Sequence, residues 1–83
     1  MFYTYVIRSK KNGILYKGFT ENIAQRLEEH NTGLSEYTSK HMPWELVLTE
    51  SHSTKTMALK REKWYKTGVG RDWIKQQLIE NKD

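Results

Sequence analysis

Leu15-Tyr16-Lys17-Gly18-Phe19-Thr20 is the stretch whose reading decides the fold. An apolar run ends in a tyrosine, a glycine lets the backbone turn or be approached closely, and a threonine stands where a helix can begin. Upstream, Phe2-Tyr3-Thr4-Tyr5-Val6-Ile7 is rich in aromatic and β-branched residues, which suit a pleated, half-buried surface, and reads as a strand. Between the two lies Ser9-Lys10-Lys11-Asn12-Gly13, where the Asn-Gly pair signals a hairpin. Residues 14–19 then form the returning strand. Antiparallel pairing brings Tyr5 and Tyr16 onto neighbouring stretches of one sheet, although the pattern alone does not fix the register that would put them on one face.

Downstream, Thr20 is the expected N-cap of a helix that runs to about Asn31, with Thr32-Gly33 as its stop. Ile23, Ala24 and Leu27 make its apolar stripe. Arg26 and His30 lie four residues apart beside that stripe, so they are surface neighbours that can border the core and still face a ligand. Residues 34–42 are polar and read as a loop able to reach a phosphate backbone. Trp44 to Glu50 reads as a third strand. A helix from Lys55 to Lys66, capped by Ser53 or Thr54, places Ala58, Glu62 and Tyr65 on one face, so that a carboxylate interrupts a largely apolar stripe. Thr67-Gly68-Val69-Gly70 reads as a flexible break, Arg71 to Ile79 as a short final helix anchored by Trp73, Ile74 and Leu78, and Asn81 to Asp83 as fraying ends.

Size and composition bound what these elements can build. With 83 residues the chain makes one domain, residues 1–83, around a small core, and its 12% of aromatic residues must supply much of the buried area. Without cysteine there is no disulfide and no thiolate zinc site, which suits a reducing compartment. No apolar run reaches membrane-span length, and the start lacks a signal-peptide pattern, so the expectation is a cytoplasmic protein without membrane attachment. The net charge of +4 favours an anionic partner, nucleic acid foremost. The expected architecture is α+β: a small three-stranded antiparallel sheet flanked by helices.

Tyr3-Thr4-Tyr5, then Tyr16-Lys17-Gly18, then Arg26, His30 and Glu62 resemble the GIY-YIG nuclease family, and most closely its small stand-alone members. In that pattern a first motif ends in tyrosine on one strand and a second begins with tyrosine on the next. An arginine and a histidine follow on the first helix, and a metal-binding glutamate comes on a later one. The likeness covers nearly the whole chain. Two positions depart from it: Tyr3-Thr4 replaces a small residue and an aliphatic one, and Lys17 stands where the family has an aliphatic residue. A supporting late asparagine has no placed counterpart.

The resemblance implies a metal-dependent DNA endonuclease with Tyr5, Tyr16, Arg26, His30 and Glu62 as catalytic residues. Glu62 would hold Mg²⁺ or Mn²⁺, and Tyr5 or Tyr16 would help activate the attacking water. Lys17, Arg26, Lys40 and Lys63 would contact nucleic acid, either structured or duplex DNA. An arginine fork suits phosphate, and a lone carboxylate suits a hard cation that keeps most of its waters. Taken singly, each residue has a plainer role: strand tyrosines pack cores, a helical arginine is solvated, and Glu62 can pair with Lys66 at i, i+4. His41 and His52 read as loop residues, and the three tryptophans as core. Two further functions stay open on sequence alone. One is a nucleic-acid-binding module with weak or absent catalysis, and the other is an accessory subunit that docks on a larger repair protein.

Overall fold

The computed structural model describes residues 1–80, so the expected fraying of Asn81 to Asp83 lies outside the described residues. Strand β1 (Phe2–Ser9) runs through the middle of a three-stranded sheet, with β2 (Leu15–Thr20) on one edge and β3 (Trp44–His52) on the other, both antiparallel to it. The helices are α1 (Ile23–Asn31), the single-turn α2 (Glu36–Ser39), α3 (Lys55–Tyr65) and α4 (Gly68–Glu80). This is the expected α+β architecture.

A central strand covered on both faces buries consecutive residues rather than alternate ones. Thr4, Tyr5, Val6 and Ile7 are each no more than 3% exposed. The pleat sends Tyr5 and Ile7 to one face, where they pack with Trp44, Tyr16, Ile23, Leu27 and Met42 beneath α1. Val6 points the other way, into a second core with Tyr65 and Ile74 from α3 and α4. The β1–β3 register steps from Val6–Leu48 to Ile7–Leu46, which leaves Val47 as a bulge. Val47 and Leu48 therefore both pack into the second core.

Polar groups lock α3 onto the sheet. The Thr4 hydroxyl, fully buried on β1, lies 2.8 Å from Tyr65 Oη and 3.0 Å from His52 Nε2. Tyr65 donates in turn to the Glu50 carboxylate, which also accepts a fork from Arg61 at 2.9 and 3.2 Å. Burial alone would raise the Glu50 pKa, but the Arg61 fork and the Tyr65 hydroxyl outweigh it and hold the carboxyl below its usual range. The Arg61 guanidinium also lies over the rings of Trp64 and Trp73, at 4.3 and 4.7 Å. His52, expected in a loop, ends β3 as part of this network.

Four local expectations are corrected. Asn22 caps α1, its side chain accepting from Gln25 N at 3.1 Å, whereas Thr20 ends β2 and its hydroxyl accepts from Asn22 N, which turns the chain toward the cap. Ala24 is exposed, since Ile23 and Leu27 suffice to seat α1. The polar segment 34–42 holds α2 and is anchored rather than free: Trp44 Nε1 donates to Thr38 O at 2.8 Å, and the Asn31 amide clips both Trp44 backbone groups. The two-glycine stretch is no break but the first turn of α4, capped by Thr67, whose hydroxyl accepts from Gly70 N at 3.0 Å.

Gly70 has a steric role there. A Cβ on it would lie 2.7 Å from the Trp64 carbonyl carbon and 2.9 Å from Tyr65 Cα, backbone atoms that cannot swing away. Gly68 has open space around it. Gly70→Ala is therefore expected to cost about 2 kcal/mol, roughly 10 °C in melting temperature. Gly68→Ala should hold or raise stability, and thermal denaturation of the pair checks the contrast.

Candidate active site

The β1–β2 register sets Tyr5 opposite Gly18 and Ile7 opposite Tyr16. Directly paired residues share a face, so both tyrosines lie on the side that α1 covers. The Tyr5 ring lies across Gly18, where a Cβ would overlap Tyr5 Oη and sit 2.6 Å from Cζ. Any other residue at position 18 would displace the phenol. With glycine there, the Tyr5 hydroxyl crosses β2 toward the sheet edge.

Helix α1 closes over that hydroxyl. His30 Nε2 lies 2.9 Å from Tyr5 Oη, and Arg26 Nε donates to the same oxygen at 3.4 Å. Arg26 also pairs with Glu29 at 2.9 Å, and Glu29 followed by Tyr5 raises the pKa of the guanidinium further. The i, i+4 spacing of Arg26 and His30 thus places both on one phenol. His30 is fully buried, and its other nitrogen, Nδ1, lies 2.9 Å from Thr38 Oγ1. Burial first, and then the Arg26 charge, push the His30 pKa below its usual value, so the ring is neutral at pH 7. With Arg26 donating to Tyr5, every proton finds an acceptor if Tyr5 donates to Nε2 and Nδ1–H donates to Thr38.

Tyr16 stands beside this group, its ring 5.2 Å from that of His30. Its hydroxyl makes no side-chain hydrogen bond among the described residues, in contrast to that of Tyr5. Burial raises the Tyr5 pKa; the Arg26 hydrogen bond and charge work the other way, and Tyr16 and Glu62 add to the rise.

Glu62 comes from the opposite face. Helix α3 packs against the Thr4 and Val6 side of β1, so its carboxylate does not join the Tyr5 group by hydrogen bonding. It does lie close enough at the β2 edge for its charge to oppose ionisation of Tyr5. Lys66 Nζ is 3.6 Å from Glu62 Oε2, longer than a good hydrogen bond, and the Glu62 side chain is 23% exposed. The expected residues thus meet as a directly bonded trio of Tyr5, Arg26 and His30 with Tyr16 alongside, and with Glu62 reaching the edge from behind the sheet. Among the remaining nucleic-acid candidates, Lys17 projects to the α3–α4 face, because it pairs with Val6. Lys40 and Lys63 are exposed and make no ion pair with the Tyr5 group.

Among the described residues no three His, Cys, Asp or Glu side chains gather to hold a metal. The donor set is one carboxylate. It fits a magnesium-like ion that takes few protein ligands and completes its shell with water and substrate phosphate, and it does not fit a zinc site.

Sequence reading passed over Thr38. It sits in a polar run eight residues beyond His30, and only the folding of α2 back under Trp44 brings its hydroxyl to the ring. No local pattern announces such a contact.

Comparison with known proteins bears on the family and the fold. Residues 1–75 match the GIY-YIG catalytic domain. The UPF0213 protein SSP2268 of Staphylococcus saprophyticus is 41% identical over 66 residues, covering 78% of this chain and 79% of that protein. The UPF0213 protein BLi00048/BL00536 of Bacillus licheniformis is 38% identical over 81 residues, covering 96% and 80%. The solution NMR structure of the UPF0213 protein BH0048 from Bacillus halodurans superposes with a TM-score of 0.56 at 26% identity, over 92% of this chain and 84% of that one. With a catalytic-domain match across most of its length, relatives of similar size and a matching fold, the chain belongs to the GIY-YIG nuclease family.

Proposed function

We propose that this protein is a divalent-metal-dependent endonuclease that hydrolyses phosphodiester bonds in structured or duplex DNA, acting in the cytoplasm in repair or recombination. The observation that best supports this is the convergence of Arg26 and His30 on the Tyr5 hydroxyl at the β2 edge, in a chain of nuclease family. No described helix is long and apolar enough to cross a membrane.

The positions of these side chains support the following roles. Arg26 keeps donors beyond those used on Glu29 and Tyr5, and offers them to a non-bridging phosphate oxygen. Tyr16, with its uncommitted hydroxyl, orients the attacking water. Tyr5 holds Arg26 in place and relays the proton of the attacking water to His30, giving its own proton to Nε2 as it takes up that of the water, while Thr38 keeps His30 in the accepting tautomer. Glu62 is the metal ligand. A divalent ion there would supply Lewis-acid stabilisation of the developing charge on the phosphoryl and leaving oxygens. It would also replace the negative field that now opposes ionisation of Tyr5 by a positive one. Lys17, Lys40 and Lys63 contact the backbone of the nucleic acid.

One observation favours a second reading, a nucleic-acid-binding module or accessory subunit of a larger complex with little catalysis of its own. The carboxylate that would hold a metal, Glu62, already neighbours Lys66, and Lys17 adds a cation on the same side. Salt-sensitive DNA binding without metal-dependent cleavage of any substrate would select that reading.

Cleavage of labelled duplex, nicked and branched DNAs with Mg²⁺ or Mn²⁺ tests the nuclease assignment. Glu62→Gln should abolish cleavage, and Arg26→Gln should lower kcat by about 10²–10³-fold. Rates that ignore both substitutions in folded protein reject the site. Gly18→Ala should displace the Tyr5 phenol and lower kcat by about 100-fold, with a stability loss of only about 1–3 kcal/mol. Kinetics at a temperature where circular dichroism shows complete folding separate the two effects.

The buried neutral His30 also makes stability depend on pH. Its pKa in the folded protein is depressed, so its contribution is fully present above the unfolded value of about 6.5. As pH falls below that, the unfolded chain takes up a proton that the folded one refuses. Urea midpoints should therefore decline from pH 7 to pH 5.5, and His30→Gln should flatten the decline.

A further inference from the structure

Lys17 stands between the tyrosine and the glycine of Tyr16-Lys17-Gly18, and the fold gives it company. Its pairing with Val6 turns it to the face where α3 and α4 pack, next to Gly18 in sequence but on the other side of the sheet from the phenols. Arg71, Lys66 and Lys75 all act on its ammonium group through space. Arg71 and Lys75 lie one turn apart on α4, to one side of the buried Ile74, and Lys66 follows directly on the end of α3. Lys66 at the end of α3 and Arg71 and Lys75 on α4 thus lie on the face to which Lys17 points, within electrostatic reach of it. Among the described residues the one ion pair within this group is Lys66 with Glu62, at 3.6 Å.

Burial first, and then the three neighbouring cations, depress the Lys17 pKa. A like-charge cluster of this kind is self-repelling in the free protein, and an arriving polyanion relieves it. The cluster adjoins Glu62 at one end and, through Lys17, the glycine over which Tyr5 crosses.

We propose that Lys17, Lys66, Arg71 and Lys75 form a ridge that binds the sugar-phosphate backbone of duplex DNA flanking the scissile phosphate and so sets its direction across the β2 edge. The proposal rests on the nuclease reading for the position of the scissile phosphate, but the ridge itself is a binding surface that can be measured without cleavage. Ammonium and guanidinium groups alone contact phosphates without reading bases, so the ridge contributes affinity and orientation rather than sequence preference.

The test is DNA binding by the intact chain in chelator, followed by fluorescence anisotropy across a range of salt concentrations. Lys17→Met keeps the apolar stem of the side chain, and Arg71→Gln and Lys75→Gln alter exposed positions. Each should weaken binding alike on unrelated duplex sequences and lower the log–log salt slope by about 0.9 per lost phosphate contact. Lys55→Gln, at the far end of α3, is the charge control and should change the slope least. If Lys17→Met fails to fold, the α4 variants still decide the matter. Unchanged affinity and slope in Arg71→Gln and Lys75→Gln overturn the ridge, whether or not the protein cleaves. Absence of cleavage together with ridge-dependent binding would refute the nuclease reading alone. Ridge variants that lose binding to anionic vesicles or acidic protein but not to duplex DNA would also overturn it.

Discussion

The ring of Tyr5 passes over Gly18 with no room for a methyl group, and the candidate site depends on that contact. It carries the phenol from the central strand to the sheet edge, where Arg26 and His30 can reach it from α1. Without the glycine the hydroxyl would stop short under the helix, and the two side chains of α1 would have no common partner. The glycine of the second motif is thus a steric requirement for the tyrosine of the first. Two short motifs, weak when read separately, act as one object in three dimensions.

The sheet is served from both faces, and each face solves a different problem. On the α1 side the chemistry-bearing groups are gathered around a buried neutral imidazole with both ring nitrogens satisfied. On the α3 side a polar chain from His52 through Thr4 and Tyr65 to Glu50 and Arg61 holds a helix that offers few apolar residues of its own. The Thr4 hydroxyl is buried but not orphaned: a buried polar group needs partners, and Tyr65 and His52 supply them. By fixing α3, this chain sets where Glu62 meets the edge.

Electrostatics tie the two faces together across β2. The Tyr5 phenol stays protonated through burial, against the pull of Arg26 and with the added push of Tyr16 and Glu62. Cations accumulate on the same edge from both sides, Arg26 in front and Lys17 with its three neighbours behind. Positive charge thus borders the β2 edge on both of its faces, and only the Tyr5 phenol is seen to be held protonated there.

Much of this was legible in the sequence, because it is carried by local pattern. The strand–hairpin–strand–helix order, the third strand and the helix bearing Glu62 follow from residue type and spacing, whereas the grouping of Tyr5, Tyr16, Arg26, His30 and Glu62 came from the likeness to the GIY-YIG pattern. The i, i+4 relation of Arg26 and His30 needed nothing more than the helical repeat. What the tertiary structure decided is of another kind. The register that seats Tyr5 on Gly18, the Val47 bulge, the fold-back that presents Thr38 to His30 and the approach of Glu62 from behind the sheet each join residues far apart in the chain. Periodicity reports how a segment faces its own neighbours. Contacts between segments depend on how loops close and which side chains fit together, and a local pattern holds no record of either.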